Sequence, residues 1–194
     1  MKLWIDVETL PTSDPRLMLP FLAKPDPMEA WHKTGLYPHT GRLLCIGVAV
    51  GDAEPEVLGY DDEEMAVRDL EQLVLKHRAD FDSYRWVAGW RVAFDVQFIR
   101  SRAALYGRGA LLEAMPWHHR GMLDIRDVWS CGRPDAKGSL AEVAEFFGVP
   151  GKGALDGSKV AEAYFAGRHE EIKRYCSGDV RMVRSVAARL GISP

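Results

Sequence analysis

In the opening segment LWIDVETLP, two carboxylates, Asp6 and Glu8, stand one residue apart inside an apolar, β-prone run. Side chains of a strand alternate between its faces, so Asp6 and Glu8 share one face while Leu3, Ile5 and Val7 take the other. Like charges brought this close raise each other's pKa and resist joint ionisation, a conflict that a bound cation removes. A half-buried strand with a wet polar face accommodates the same pair, so these two residues alone leave both readings open.

Three further residues could join them. Asp95 follows the apolar run RWVAG and stands at or near the start of the next helical segment, FDVQFIRSRAALYG. There it either contributes a carboxylate to a site or stabilises the helix N-terminus, a role worth about 1 kcal/mol. Tyr175 and Asp179 lie four apart in EIKRYCSGDVRMV and share one helical face. Gly178 between them costs about 1 kcal/mol relative to alanine in a helix interior, which points to a close approach by backbone or ligand. Asp124 and Asp127 fit strand-end or helix-capping roles better than a cleft edge. His118 and His119 lack a spaced third ligand and fit a loop. Trp31, Trp90, Trp117 and Trp129 suit either stacking on unpaired bases or burial in the core.

The elements that must position these groups follow from periodicity. RLLCIGVAVGD and PEVLGY predict a hairpin, DDEEMAVRDLEQLVLKHRAD an acid-capped amphipathic helix, and RWVAG a short strand ahead of the Asp95 helix. MLDIRDVWS predicts a strand running into a helix, and the last third is helical, ending in a long helix from His169 to Leu190 with an apolar stripe of Ile172, Val180, Val183 and Val186. Such an order predicts an α/β fold, a mixed sheet with helices on its faces. Six of the eleven prolines fall between residues 11 and 41, so an irregular insertion with at most short helical pieces is expected at about 11–40.

The chain has 194 residues, 47% of them hydrophobic, which suits one domain spanning 1–194. Without a membrane-length apolar run, and with acids where a signal peptide has its apolar centre, a cytoplasmic protein with no membrane association is expected. Cys45, Cys131 and Cys176 form no CxxC pair and are expected as buried thiols. The net charge of −3 is unevenly spread: residues 1–83 carry 8 basic and 16 acidic residues, and the remainder 17 and 12. The basic part includes Arg85, Arg91, Arg100, Arg102, Arg108, Arg120, Arg126 and Arg133, and an acidic pole facing basic ground suits metal-mediated contact with a phosphate chain.

Asp-x-Glu on the first strand, Phe94-Asp95 opening a helix, and Tyr175-x-x-x-Asp179 on a late helix, in that order, resemble the DEDD exonuclease superfamily, and the tyrosine resembles its tyrosine branch. The stretch SLAEVAEFFGVPGKGALDGSKVAEAYFAGRHEEIKRYCSGDV is similar to stand-alone predicted exonucleases related to the proofreading domain of family B DNA polymerases. The resemblance implies a ribonuclease H-like fold and metal-dependent 3′-to-5′ hydrolysis of single-stranded DNA or RNA ends, with DNA favoured, by two Mg²⁺ or Mn²⁺ ions. An exoribonuclease of the same fold and a catalytically silent binding module are the alternatives. The resemblance places Asp6 between both ions, Glu8 and Asp179 on the ion beside the attacking water, Asp95 on the outer ion, and Tyr175 on the water. It also implies Thr9 and Leu10 as contacts to the terminal nucleotide, beside their ordinary reading as strand-end residues. One departure stands out: many members have Asn shortly before the phenylalanine of the second motif, where this chain has Gly89-Trp90-Arg91-Val92, so Arg91 and Phe94 become the candidate substrate contacts there. Any polymerase or other protein partner is left unspecified.

Overall fold

A computed structural model describes residues 1–22, 24–133, 135–151, 153 and 155–193, and for residues 20–22 the backbone alone. Strand β1 (Leu3–Leu10) lies at the centre of a five-stranded sheet. On one side it pairs antiparallel with β2 (Arg42–Val50), which carries the hairpin partner β3 (Glu56–Leu58). On the other it pairs parallel with β4 (Val87–Gly89), which in turn pairs parallel with β5 (Met122–Asp124). The mixed sheet flanked by helices is the ribonuclease H-like arrangement expected from the sequence.

The alternation of β1 sends its two faces into different cores. Leu3, Ile5 and Val7 pack with Ile46 and Val48 against α3 (Glu63–Lys76), α4 (Ala93–Leu105) and α5 (Gly109–Ala114). Trp4 and Leu10 point the other way. Trp4 packs with residues of α7 (Leu140–Phe146) and of the C-terminal half of α9 (His169–Arg189), and Leu10 packs against α8 (Val160–Phe165) and the N-terminal half of α9. The predicted stripe Ile172, Val180, Val183 and Val186 is fully buried, as its spacing requires. Caps fix the helix starts: Asp62 accepts the Met65 N–H at 2.8 Å ahead of α3, and Ser139 with Glu142 forms a capping box on α7.

The proline-rich segment holds the short helical pieces expected of it, and one helix elsewhere is unforeseen. The proline-rich segment folds into two eight-residue helices, α1 (Pro15–Leu22) and α2 (Pro27–Thr34), because Asp26 caps α2 and Pro27 takes its first position, where a missing N–H is harmless; residue 23 lies outside the described residues. Helix α5 is too short to leave a periodic signature, and nothing in the sequence reading anticipated it.

The basic ground is also less available than its sequence suggests. Arg102 is 6% exposed; it pairs with Glu63 at 2.7 Å and donates to the carbonyls of Pro38 and Gly41. Glu63 also accepts the Leu43 N–H and the Tyr106 hydroxyl, so the pair ties α3, α4 and the loop before β2 together. Arg100 donates to the carbonyls of Leu112 and Met115, and Arg126, on the short helix α6 (Ile125–Trp129), donates to that of Ala136. Arg108 pairs with Glu64, and Arg133 pairs with Asp135. Arg100, Arg102 and Arg126 serve the fold because buried carbonyls and the buried Glu63 carboxylate need donors, whereas the Arg108–Glu64 and Arg133–Asp135 pairs lie at the surface. Removing one partner of the buried pair leaves a charge without compensation, so Arg102→Ala should lower stability by about 3–5 kcal/mol in urea unfolding. An exposed substitution such as Arg120→Ala should stay within about 0.5 kcal/mol.

Candidate active site

The site forms where β1 outruns its parallel neighbour. Strand β4 pairs with β1 only at Leu3 and Trp4 and ends at Gly89. The chain then turns through Trp90 and Arg91 into α4, so the start of that helix takes the place of a longer strand. The Val7 N–H, left without a ladder partner there, donates to the Asp95 carboxylate at 2.8 Å. Asp95 is therefore fixed to the backbone of the residue between Asp6 and Glu8. Val92, at the cap position, has no side-chain cap bond, so Asp95 serves β1 as a first-turn acid of α4.

The third motif arrives from the opposite direction. In the antiparallel register Asp6 faces Gly47 and Glu8 faces Cys45. A Cβ on Gly47 would lie 2.9 Å from Cys176 Sγ and 3.1 Å from the Cys176 carbonyl oxygen. The missing side chain thus lets α9 lie directly on β2 beside Asp6, and Tyr175, Cys176 and Asp179 follow onto the acidic face. Cys176 Sγ comes within 3.8 Å of the Asp6 carbonyl oxygen. Cys176 is the buried thiol expected of it, whereas the part played by Gly47 is not read from the sequence, where a glycine inside a strand pattern is the available signal.

Glu8, Asp95, Asp179 and Tyr175 are each 4–6% exposed, and Asp6 is partly exposed. Burial, and after it the charge of Asp6, pushes Asp95 well above the usual carboxylate range. The Tyr175 hydroxyl hydrogen-bonds Asp179, and its pKa is raised by burial first and then by Asp179, Glu8 and Asp6. The structure thus brings together all five residues singled out from the three motifs. Ligand atoms of Asp6, Glu8 and Cys176 lie within 4.8 Å of one another. The pKa of the Cys176 thiol is raised by its neighbour Cys45 and by burial. It is therefore a neutral neighbour, and the donors suited to a hard cation are the carboxylates.

Asp6, Tyr175 and Asp179 open onto a cleft of about 1040 Å³. Its walls come from Trp90 and Arg91, from residues 135–141, and from Gly151, Gly153 and residues 155–157. Arg91 is exposed with φ of 53°, a left-handed conformation uncommon for a side-chain-bearing residue, and its N–H is held by Asp124 at 3.0 Å. Asp124 also caps α6 through the Arg126 N–H, the structural role expected of it. Lys137, missed from the sequence, is a second cation on the wall. Thr9 donates to the Gly35 carbonyl at 2.8 Å and lines a separate hollow beside α2. Leu10 is 2% exposed within the core, which gives its side chain the strand-end role. Phe94 is half-buried against Phe98, away from the cleft lining. Among the other residues weighed, Trp129 packs on Phe147, and Trp31 donates to the Thr12 carbonyl. His118 and His119 form the turn before β5. Cys131 is exposed rather than buried, because it sits in the turn that ends α6.

Among the described residues no helix is long and apolar enough to cross a membrane. Comparison with known families then bears on the third motif and the cleft walls. Residues 114–184 match the family of predicted 3′-5′ exonucleases related to the exonuclease domain of PolB. The resemblance read from the sequence is borne out over that segment, which holds Tyr175, Asp179 and the loops that wall the cleft. Asp6, Glu8 and Asp95 lie outside the matched residues and join the family's segment through the fold. No curated protein matches the chain. The family description supports a nuclease and, with it, a nucleic-acid substrate.

Proposed function

We propose that the chain is a metal-dependent 3′-to-5′ exonuclease acting on single-stranded ends, with DNA favoured over RNA. The observation that carries this reading is the convergence of four carboxylates from three separate elements, two of which, Asp6 and Asp179, line one partly open cleft. Clustered buried acids without a cation repel one another, and Asp95 is raised by burial first and by the Asp6 charge second. Their oxygen donors fit Mg²⁺ or Mn²⁺. In this reading Asp6, Glu8, Asp95 and Asp179 hold two ions. When bound, such ions supply charge stabilisation at the attacking and leaving oxygens and acidify the attacking water.

The chain's own residues do the rest. The Val7 N–H keeps Asp95 oriented, and Gly47 keeps Asp179 against Asp6. Tyr175 holds its proton, because burial and then the surrounding carboxylates disfavour a phenolate, so it orients water and does not act as bulk base. Arg91 and Lys137 meet the phosphates next to the reacting one. Thr9 offers its backbone to the terminal sugar. Two flanking walls leave room for an unstacked strand, which suits a single-stranded end.

Tyr175→Phe should lower kcat about ten- to a hundredfold without moving the pH at which the rate rises, since the tyrosine does not titrate in that range. The reading itself is tested with 5′-labelled single-stranded DNA and RNA of one sequence in Mg²⁺, Mn²⁺ or EDTA. A ladder shortening from the 3′ end only with metal, faster on DNA, is expected. Faster RNA hydrolysis would select the exoribonuclease, and binding without cleavage would select a silent binding module.

A further inference from the structure

Away from the acids, the edge of the sheet carries aromatic side chains that the fold does not bury. Trp117 is 80% exposed and Tyr84 61% exposed. With Trp86 and Pro116 they line a surface hollow of about 510 Å³. Trp86 stacks on Phe81 with ring centroids 4.6 Å apart and belongs to the core, so it gives the hollow a rigid floor. The Arg85 guanidinium lies 5.1 Å over the Tyr84 ring, and Arg85 Nε donates to the Arg120 carbonyl. Neither Arg85 nor Arg120 has a carboxylate partner among the described residues, unlike Arg102, Arg108 and Arg133. Of the nearby acids, Asp82 pairs with the N-terminus and Lys2 and Asp124 accepts from the backbone of Arg91 and Arg126, while Asp127 faces the same hollow as the two arginines.

Arg85, Arg120 and His119, with Asp124 and Asp127, line a second hollow next to the first. Through the Asp124–Arg91 hydrogen bond that hollow abuts the wall of the acidic cleft. Exposed aromatic faces interleaved with free guanidinium groups are the surface a single strand uses: bases stack on rings while cations follow the phosphates. A polyanion is the charge complement of this patch.

We infer that Tyr84, Trp117, Arg85 and Arg120 form a second binding site for single-stranded nucleic acid, which holds the upstream part of a strand whose 3′ end lies in the acidic cleft. This rests on the proposed exonuclease reading and adds a length-dependent affinity that the cleft alone does not provide.

The test is fluorescence anisotropy in EDTA with labelled oligo(dT) of 4 and 20 nucleotides, on the unaltered chain and on Tyr84→Ala/Trp117→Ala and Arg85→Ala/Arg120→Ala. The aromatic variant should bind the 20-mer at least about tenfold more weakly and the 4-mer unchanged. For the arginine variant the slope of log affinity against log salt on the 20-mer should become shallower by about 1.4, from about 0.7 per phosphate contact. Hydrolysis of the 4-mer in Mn²⁺ should be unaltered in both. Equal losses on both lengths, or none on either, would overturn the inference while leaving the exonuclease intact. A concentration-dependent dimer that the aromatic variant abolishes would also overturn it, by making the patch a self-interface. Failure of the unaltered chain to bind or cut either oligomer would remove the exonuclease reading as well.

Discussion

Asp6→Ala and Asp179→Ala should each lower hydrolysis at least about a thousandfold, because several kcal/mol of transition-state stabilisation depend on cations these carboxylates hold. Neither variant should unfold. In EDTA the unaltered site is a cluster of repelling acids, so removing one relieves strain and leaves the melting temperature equal or higher. With Mn²⁺ the order reverses, since the ion binds the folded unaltered chain and raises its melting temperature while the variants gain little. The pH dependence has a definite sign. Asp95 has a folded-state pKa raised above its ordinary 3.8, so its contribution to stability is full below that pH and is lost as pH rises toward the folded value. Thermal unfolding in EDTA should show that loss, and Asp95→Asn should flatten it. Unfolding of Asp6→Ala with unchanged activity per folded molecule would contradict the assignment.

Gly47→Val should damage the site without touching an acid. Even a Cβ there would press on Cys176 Sγ, Val180 and the Cys176 carbonyl, so α9 must move away from β2. Overpacking of this kind costs about 1–3 kcal/mol of stability. Because α9 carries Tyr175 and Asp179, a shift of about 1 Å should also lower kcat about a hundredfold. Urea unfolding and steady-state kinetics on the same preparation separate the two effects. The contrast with Arg102→Ala is informative, since that variant should lose more stability yet keep its specific activity while folded. If Gly47→Val were unstable but fully active, α9 would not position the site.

What the sequence disclosed is local in origin. Alternation in LWIDVETL puts Asp6 and Glu8 on one face, and four-residue spacing puts Tyr175 over Asp179; both follow from backbone periodicity. The stripe Ile172, Val180, Val183 and Val186 is legible for the same reason. Other features depend on partners far away in the chain. Nothing near Asp95 indicates that its acceptor role is toward Val7, 88 residues earlier. Arg102 looks like its neighbours in a basic run until Glu63 and the Gly41 carbonyl enclose it. Leu10 reads as a strand end open to substrate, and the packing of α8 and α9 buries it. Gly47 is one glycine in an apolar strand, and its meaning lies in the helix that arrives about 130 residues later.

In the proposed function four acids from β1, α4 and α9 hold the divalent cations that hydrolysis requires. Equilibrium titration with Mn²⁺ followed by electron paramagnetic resonance, run beside a 3′-end hydrolysis assay on the same samples, tests it most directly. The unaltered chain should bind two ions and gain activity as they bind, and Asp6→Ala should lose at least one ion together with the activity. Hydrolysis that persists in Asp6→Ala, or full activity in a chain that binds no Mn²⁺, would contradict the account.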